Sequence, residues 1–206
     1  MMLTPGQETV YIDPADRDGS SGLYLAYSRS AFYATSSKTH IACDARTAPN
    51  ATSAGPTGKL LRMGLDMRQT NGVKSMAVPN GSQLRTYRLA LACTGEYAAF
   101  HGGTTSGALS AMATSMVRIN GVYHRDVAIH MELVASNDAI VFLNGSTDPY
   151  TNNNGGTMLG ENQTTCDNII GSANYDIGHV FSTGGGGVAY LQSPCQSFKA
   201  GGVTGG

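Results

Sequence analysis

Five histidines and four cysteines are the side chains best suited to hold a metal or attack a substrate: His40, His101, His124, His130 and His179, with Cys43, Cys93, Cys166 and Cys195. A zinc-peptidase helix needs two histidines four apart with a glutamate directly after the first, so that one helical face carries both ligands and the base. None of these histidines has such a partner, and none is followed by Glu. His130-Met131-Glu132 matches the opening of the nucleoside-deaminase signature. That chemistry also needs Pro-Cys-x-x-Cys, and after Pro194-Cys195 the second cysteine position holds Phe198. Gly102 to Gly107 precedes a helix, but Ala108 and Leu109 stand where a phosphate loop requires Lys and Ser or Thr. The glycine run Gly184 to Gly187 is followed by strand-like residues, which removes the dinucleotide reading. A Gly-x-Ser-x-Gly elbow is missing too, so serine-hydrolase chemistry has no nucleophile. His101 and His179, near strand ends, read as hydrogen-bonded structural histidines.

What remains is a backbone feature. Glycines carry no Cβ, so a second backbone can lie close against Gly184 to Gly187. The strand that follows, Gly187-Val188-Ala189-Tyr190-Leu191, reads as an open edge to which an extended peptide can add. This reading expects Val188 to Leu191 at the rim of a sheet with one side unpaired.

Three stretches carry a family resemblance: Ala92-Cys-Thr-Gly-Glu-Tyr97, Leu159-Gly-Glu-Asn-Gln-Thr-Thr-Cys166 on to Tyr175, and Gly187-Val-Ala-Tyr-Leu191 through Cys195 to Gly202-Val203-Thr204. They resemble the region upstream of the zinc helix in reprolysin-like metzincin zinc metallopeptidases, especially the secreted bacterial branch. The resemblance implies that Gly187, Val188, Ala189, Tyr190 and Leu191 bind a polypeptide substrate. It also implies a zinc cofactor held by a following His-Glu-x-x-His-x-x-Gly-x-x-His helix. The sequence reaches Gly206 where that helix should begin, so the expectation is a fragment with the substrate cradle but no metal ligands, inactive alone. Tyr11-Ile-Asp-Pro14 resembles the end of a propeptide. By the same resemblance Cys43 is a candidate zymogen switch, its thiolate capping the zinc; the bland alternative is a disulfide with Cys93. Four cysteines allow three pairings, which spacing cannot choose between. The pairing expected is Cys166 with Cys195, tying a helix to the edge strand, although in related enzymes the edge-strand cysteine often bonds beyond the zinc helix. Glu96, Asp138 and Asp148 are candidates for a calcium site but, as scattered carboxylates, read more readily as solvated surface.

The elements that must position this edge follow from periodicity and punctuation. Alternating residues at 8–13 and 23–28, with Pro14 to Gly22 between them, predict a β-hairpin. Residues 44–82 are rich in Pro, Gly, Ser and Asn and read as a linker. Strands are expected at 84–93, 125–135, 139–143, 177–181 and 188–191, with a short one near Val203. Helices are expected from Thr104 to about Asn120, closed by Gly121, and from Thr157 to Asn174. The fold expected is α/β (α+β): a metzincin-like N-terminal subdomain with a twisted mixed sheet and two main helices, preceded by a small β-hairpin. By the resemblance, the domains expected are a propeptide-like β segment at 1–45, a linker at 46–83 and, at 84–206, a metzincin N-terminal catalytic subdomain lacking the zinc helix.

A formal net charge of −1 gives no basic footprint for nucleic acid or an anionic membrane, and no apolar run is long enough to span a bilayer. Abundant Gly, Ser, Thr and Asn, with no Trp, suit a loop-rich secreted protein. The sequons at Asn50, Asn80, Asn144 and Asn162 read as loop composition. The alternative reading is an extracellular binding or structural protein that self-associates through exposed strand edges.

Overall fold

The computed structural model describes residues 10–15, 22–28, 30–31, 43–46 and 83–205. Two strands, β1 (Val10–Pro14) and β2 (Tyr24–Ser28), pair antiparallel as the expected hairpin, with Tyr11 opposite Tyr27. A short strand β3 (Cys43–Arg46) follows, and then β4 (Arg85–Cys93), α1 (Gly95–Phe100), α2 (Thr105–Val127) and β5 (Ile129–Leu133). The remaining elements are α3 (Gly155–Cys166), β6 (Ile177–Phe181), β7 (Gly187–Tyr190) and β8 (Gly202–Thr204).

Six strands form one mixed sheet in the order β3-β7-β8-β6-β4-β5. β4 runs parallel to β5 and β6, β6 parallel to β8, and β7 antiparallel to β8. The alternation along β4 divides its side chains between two layers. Ala90 and Ala92, with Val180, Val188 and Val203, face Met158, Leu159 and Ile170 of the α3 side. Leu89, Leu91 and Cys93, with Phe181, face Ala108, Met112 and Met116 of α2. The architecture is the α+β fold expected from the order of the elements.

Two asparagines fix the sheet to its surroundings. Asn137, buried, accepts from the Leu91 N–H at 2.8 Å and donates to the Leu91 carbonyl at 2.9 Å, completing β4 as a strand neighbour would. Asn162, fully buried, accepts from the Tyr150 hydroxyl at 2.9 Å and donates to the Ala200 carbonyl at 2.7 Å. The sequon at Asn162 is therefore an internal pin between α3 and the turn into β8.

Several boundaries differ from expectation. α2 continues through Gly121 and closes at Ala128, whose φ of 52° supplies the left-handed cap. His124 and Arg125 fall in its last turn, where positive charge suits the helix dipole. Residues 125–127 are therefore helical, and the next strand begins at Ile129. In place of a strand at 139–143, a 3₁₀ turn Asn137–Ile140 leads to a single bridge between Val141 and Cys93. α3 starts at Gly155 and gives way after Cys166 to a π-turn over Asp167–Gly171. Composition could not separate this widened turn from regular helix.

Replacing Asn137 with Ala strands two buried backbone groups of Leu91, and the loss expected is roughly 1–3 kcal/mol. A urea melt of Asn137→Ala against the unaltered protein measures it.

Candidate substrate-binding rim

β7 is held from within the sheet by close backbone contact. A Cβ on Gly187 would lie 2.7 Å from the Val203 carbonyl oxygen, and one on Gly184 would lie 2.2 Å from the Gly205 oxygen. The Gly184 N–H donates to the Gly205 carbonyl at 2.7 Å, and the Gly205 N–H donates to Gly186 at 2.8 Å. The glycine run thus admits a neighbouring backbone, as its composition suggested, and that backbone is the chain's own β8 end.

Side chains along β7 alternate. Val188 is buried in the α3-side core, whereas Ala189 is exposed. Tyr190 lies on Gly201, where a Cβ would come within 2.2 Å of its ring, and meets Phe198 edge-on at 6.0 Å between centroids. Leu191 follows the strand, and Gln192 turns the chain away with a φ of 60°.

The outer side of β7 is occupied, which corrects the expectation of an unpaired rim. β3 runs parallel to it in the register Cys43–Gly187, Asp44–Val188, Ala45–Ala189 and Arg46–Tyr190. The Leu191 N–H donates to the Arg46 carbonyl at 2.9 Å. Within 83–205 β7 is the last strand of the sheet, and the N-terminal segment adds one more beyond it. β3 crosses the boundary drawn at 45/46. Sequence reasoning missed it because four residues, Cys-Asp-Ala-Arg, carry no alternation and open a stretch rich in Pro and Gly. Asp44 and Arg46 form an ion pair at 2.8 Å, and the guanidinium beside it holds the Asp44 carboxyl below the usual range. The Arg46 guanidinium also lies against Gly156 at the start of α3, within 2.8 Å of where a Cβ would stand.

The cysteines are placed differently from their expected roles. Cys93, Cys166 and Cys195 are free thiols, so the Cys166–Cys195 bridge is not formed. Cys166 is buried beneath Gly178 and near Asn162, whereas Cys195 is exposed in the loop before β8. Burial pushes the Cys93 and Cys166 thiols up to about 12, which keeps both protonated and unreactive. Cys93 being free also removes the alternative bridge to Cys43. The backbone of Cys43 opens β3 opposite Gly187, and its side chain lies outside the described residues.

On the α2 side of the sheet, an apolar hollow of about 380 Å³ opens between Leu89, Leu91, Met116, Ile119, Ile177 and Phe181. His179 lines it beside Thr204, with Nε2 2.8 Å from the Thr204 hydroxyl. Burial pushes this imidazole down to about 4, so it stands neutral, as a structural histidine. Glu96 packs over Gly145, and Asp148 accepts from the Gly95 N–H at 2.6 Å and the Tyr150 N–H at 3.0 Å. Asp148 is thereby tied to local backbone, whereas Glu96 keeps a buried Oε2 without a hydrogen-bond partner among the described residues, and Asp138 sits in the 3₁₀ turn. Among the described residues, no three His, Cys, Asp or Glu side chains converge to hold a metal ion. The described residues therefore show neither a zinc nor a calcium site.

Residues 109–206 match the family model described as metallo-peptidase family M12B, reprolysin-like. No curated protein matches the chain.

His179 gives a pH signature. Its folded value lies below the ordinary 6.5, so the unfolded chain binds the proton more readily, and stability falls as pH drops from about 6.5 to about 4. Urea midpoints across this window should decline with acid. His179→Phe should flatten that part of the profile.

Proposed function

Because residues 109–206 match the model of the reprolysin-like metallopeptidases of family M12B, we propose that this chain forms the substrate cradle of a secreted zinc endopeptidase, closed by its own N-terminal segment. The single observation that carries this reading is the addition of β3 to β7. The rim that the family resemblance assigns to the substrate accepts an extended segment by backbone pairing, the chemistry of strand addition. Gly187 to Leu191 would hold the peptide main chain, with Val188 anchored inward and Ala189 exposed between its neighbours. In this reading β3 stands where substrate would bind, and Cys43 opens it as a candidate thiolate cap. The zinc, which the family uses to activate water and polarise the scissile carbonyl, would be held by residues other than these. The 206 residues contain no His-Glu-x-x-His, so we expect no peptidase activity from this polypeptide alone. Low charge and a loop-rich composition support action outside the cell. The described residues include no helix long and apolar enough to cross a membrane.

A second reading, an extracellular binding or self-assembling module, is favoured by the open apolar hollow beside α2. Sedimentation separates the two: a concentration-dependent dimer supports assembly, and a monomer at all concentrations counts against it.

The cradle itself is tested with Asp44→Pro, which places proline inside β3 and weakens its pairing. A fluorescent extended peptide should bind this variant more tightly than the unaltered chain, with competition by unlabelled peptide. Equal absence of binding in both would reject the rim as a peptide site. Chelator-sensitive peptide hydrolysis by the 206-residue chain would overturn its assignment as a cradle without metal ligands.

A further inference from the structure

The N-terminal segment touches the rest of the protein at a second place. Asp13, at the end of the hairpin's first strand, forms an ion pair with Arg118 on α2. The Tyr27 hydroxyl from the other hairpin strand donates to the same Asp13 carboxylate. Arg118 also reaches the Tyr27 oxygen at 3.5 Å and lies over the Tyr11 ring at 5.6 Å from its centroid. Tyr11 and Tyr27 face one another across the hairpin with centroids 5.6 Å apart. One guanidinium therefore gathers a carboxylate, a phenol and an aromatic face, each from the same hairpin. Asp13 is only 17% exposed and Arg118 37% exposed, so the pair is partly shielded from water, where charge-assisted bonds are stronger than on open surface.

Much of the hairpin's apolar surface stays outside the core. Leu23, Tyr24 and Leu25 are each more than half exposed. Its attachment at Arg118 is thus a polar clasp and owes little to apolar burial. β3 is attached comparably lightly, through four residues of parallel pairing with Asp44, Ala45 and Arg46 exposed.

We propose that the Arg118 clasp is the second anchor of an N-terminal strap, and that it keeps β3 on the β7 rim by holding the strap's other end. The inference rests on the reading of β7 as a peptide-binding rim, and it adds how occupation of that rim is controlled. Two weak attachments on one chain reinforce each other, because binding at one raises the local concentration of the other. Opening the clasp lowers that concentration and frees β7 for an incoming polypeptide, with no change to β7 itself. The trigger is any event that separates Asp13 from Arg118.

The test is hydrogen exchange on the full 206-residue chain, comparing the unaltered protein with Arg118→Ala, Asp13→Asn and the charge swap Asp13→Arg with Arg118→Asp. In both single variants the amides of 10–14 and 24–28 should exchange faster, and the Leu191 amide, which donates to β3, should follow by roughly tenfold. The swap should restore protection at both places. Amides of β4 and β6 serve as the control for a fold that has stayed intact. Loosening of the hairpin with Leu191 unchanged would overturn the coupling, and so would single variants that leave the hairpin itself unchanged. Peptide binding to the same proteins distinguishes this failure from that of the rim. If Leu191 is released but no extended peptide binds, the strap stands and the peptide-site reading falls. Tighter peptide binding by Arg118→Ala supports both.

Discussion

The organisation of this molecule depends on a backbone contact that only glycine permits. β7 can join the sheet antiparallel to β8 because Gly184 and Gly187 let the 203–205 backbone approach closer than a Cβ would allow. Any side chain there would have to push β8 away from β7, and β8 is itself short. With this contact made, Val188 drops into the α3-side core and Tyr190 settles on Gly201. The inner side of β7 is then fixed, and its hydrogen-bonding groups on the outer side are committed to whatever strand lies beyond. The inner placement of β7 is thus a consequence of small residues at two positions.

The two faces of the sheet are filled differently. On one face, α3 and the turns after it close over Ala90, Ala92, Val180 and Val203, with Asn162 tying helix to loop. On the other face, α2 covers Leu89, Leu91 and Phe181 and leaves the hollow beside His179. At the strand entrances, Arg88 meets Asp176 at 2.7 Å and also donates to the Ala173 carbonyl, which locks β4 to the start of β6. The guanidinium beside Asp176 holds its carboxyl below the ordinary range. The fixed parts lie where the strands begin and along the α3 face, and β3 and β5 form the two margins of the sheet.

Most of the sheet was legible because its strands alternate over enough residues to declare themselves. Leu89 to Cys93 and Ile177 to Phe181 carry apolar residues on both faces, as strands covered on both sides must. The hairpin was legible from turn chemistry, and β7 and β8 from the short apolar runs that follow the glycines. The failures have local causes. Gly121 costs a helix about 1 kcal/mol, which the apolar and aliphatic contacts of a helix the length of α2 outweigh. Asn137 replaces a strand with a side chain, and no periodicity betrays such a substitution. The thiols misled because even numbers of cysteines suggest bridges. Cys166 instead sits buried under Gly178, while Cys195 is exposed, and Cys166 fills space as a small apolar group. The most consequential omission was β3, whose four residues have no pattern because they bury little.

That absence of pattern bears on function. A strand meant to stay in a sheet buries alternate side chains, and its sequence shows it. β3 exposes Asp44, Ala45 and Arg46 and is joined to β7 chiefly by backbone bonds. Each such bond contributes a net ~1 kcal/mol, and a parallel pairing contributes slightly less per residue than an antiparallel one. A handful of them competes poorly with the entropy of ordering a long chain segment. Retention of β3 therefore needs help from elsewhere on the same segment, and the Arg46 contact with Gly156 and the Arg118 clasp are where that help is found. A cover so constructed can be removed without disturbing the core, because neither attachment shares a buried side chain with it. The same economy of apolar contact that hid β3 in the sequence leaves it joined to the rim chiefly by backbone bonds.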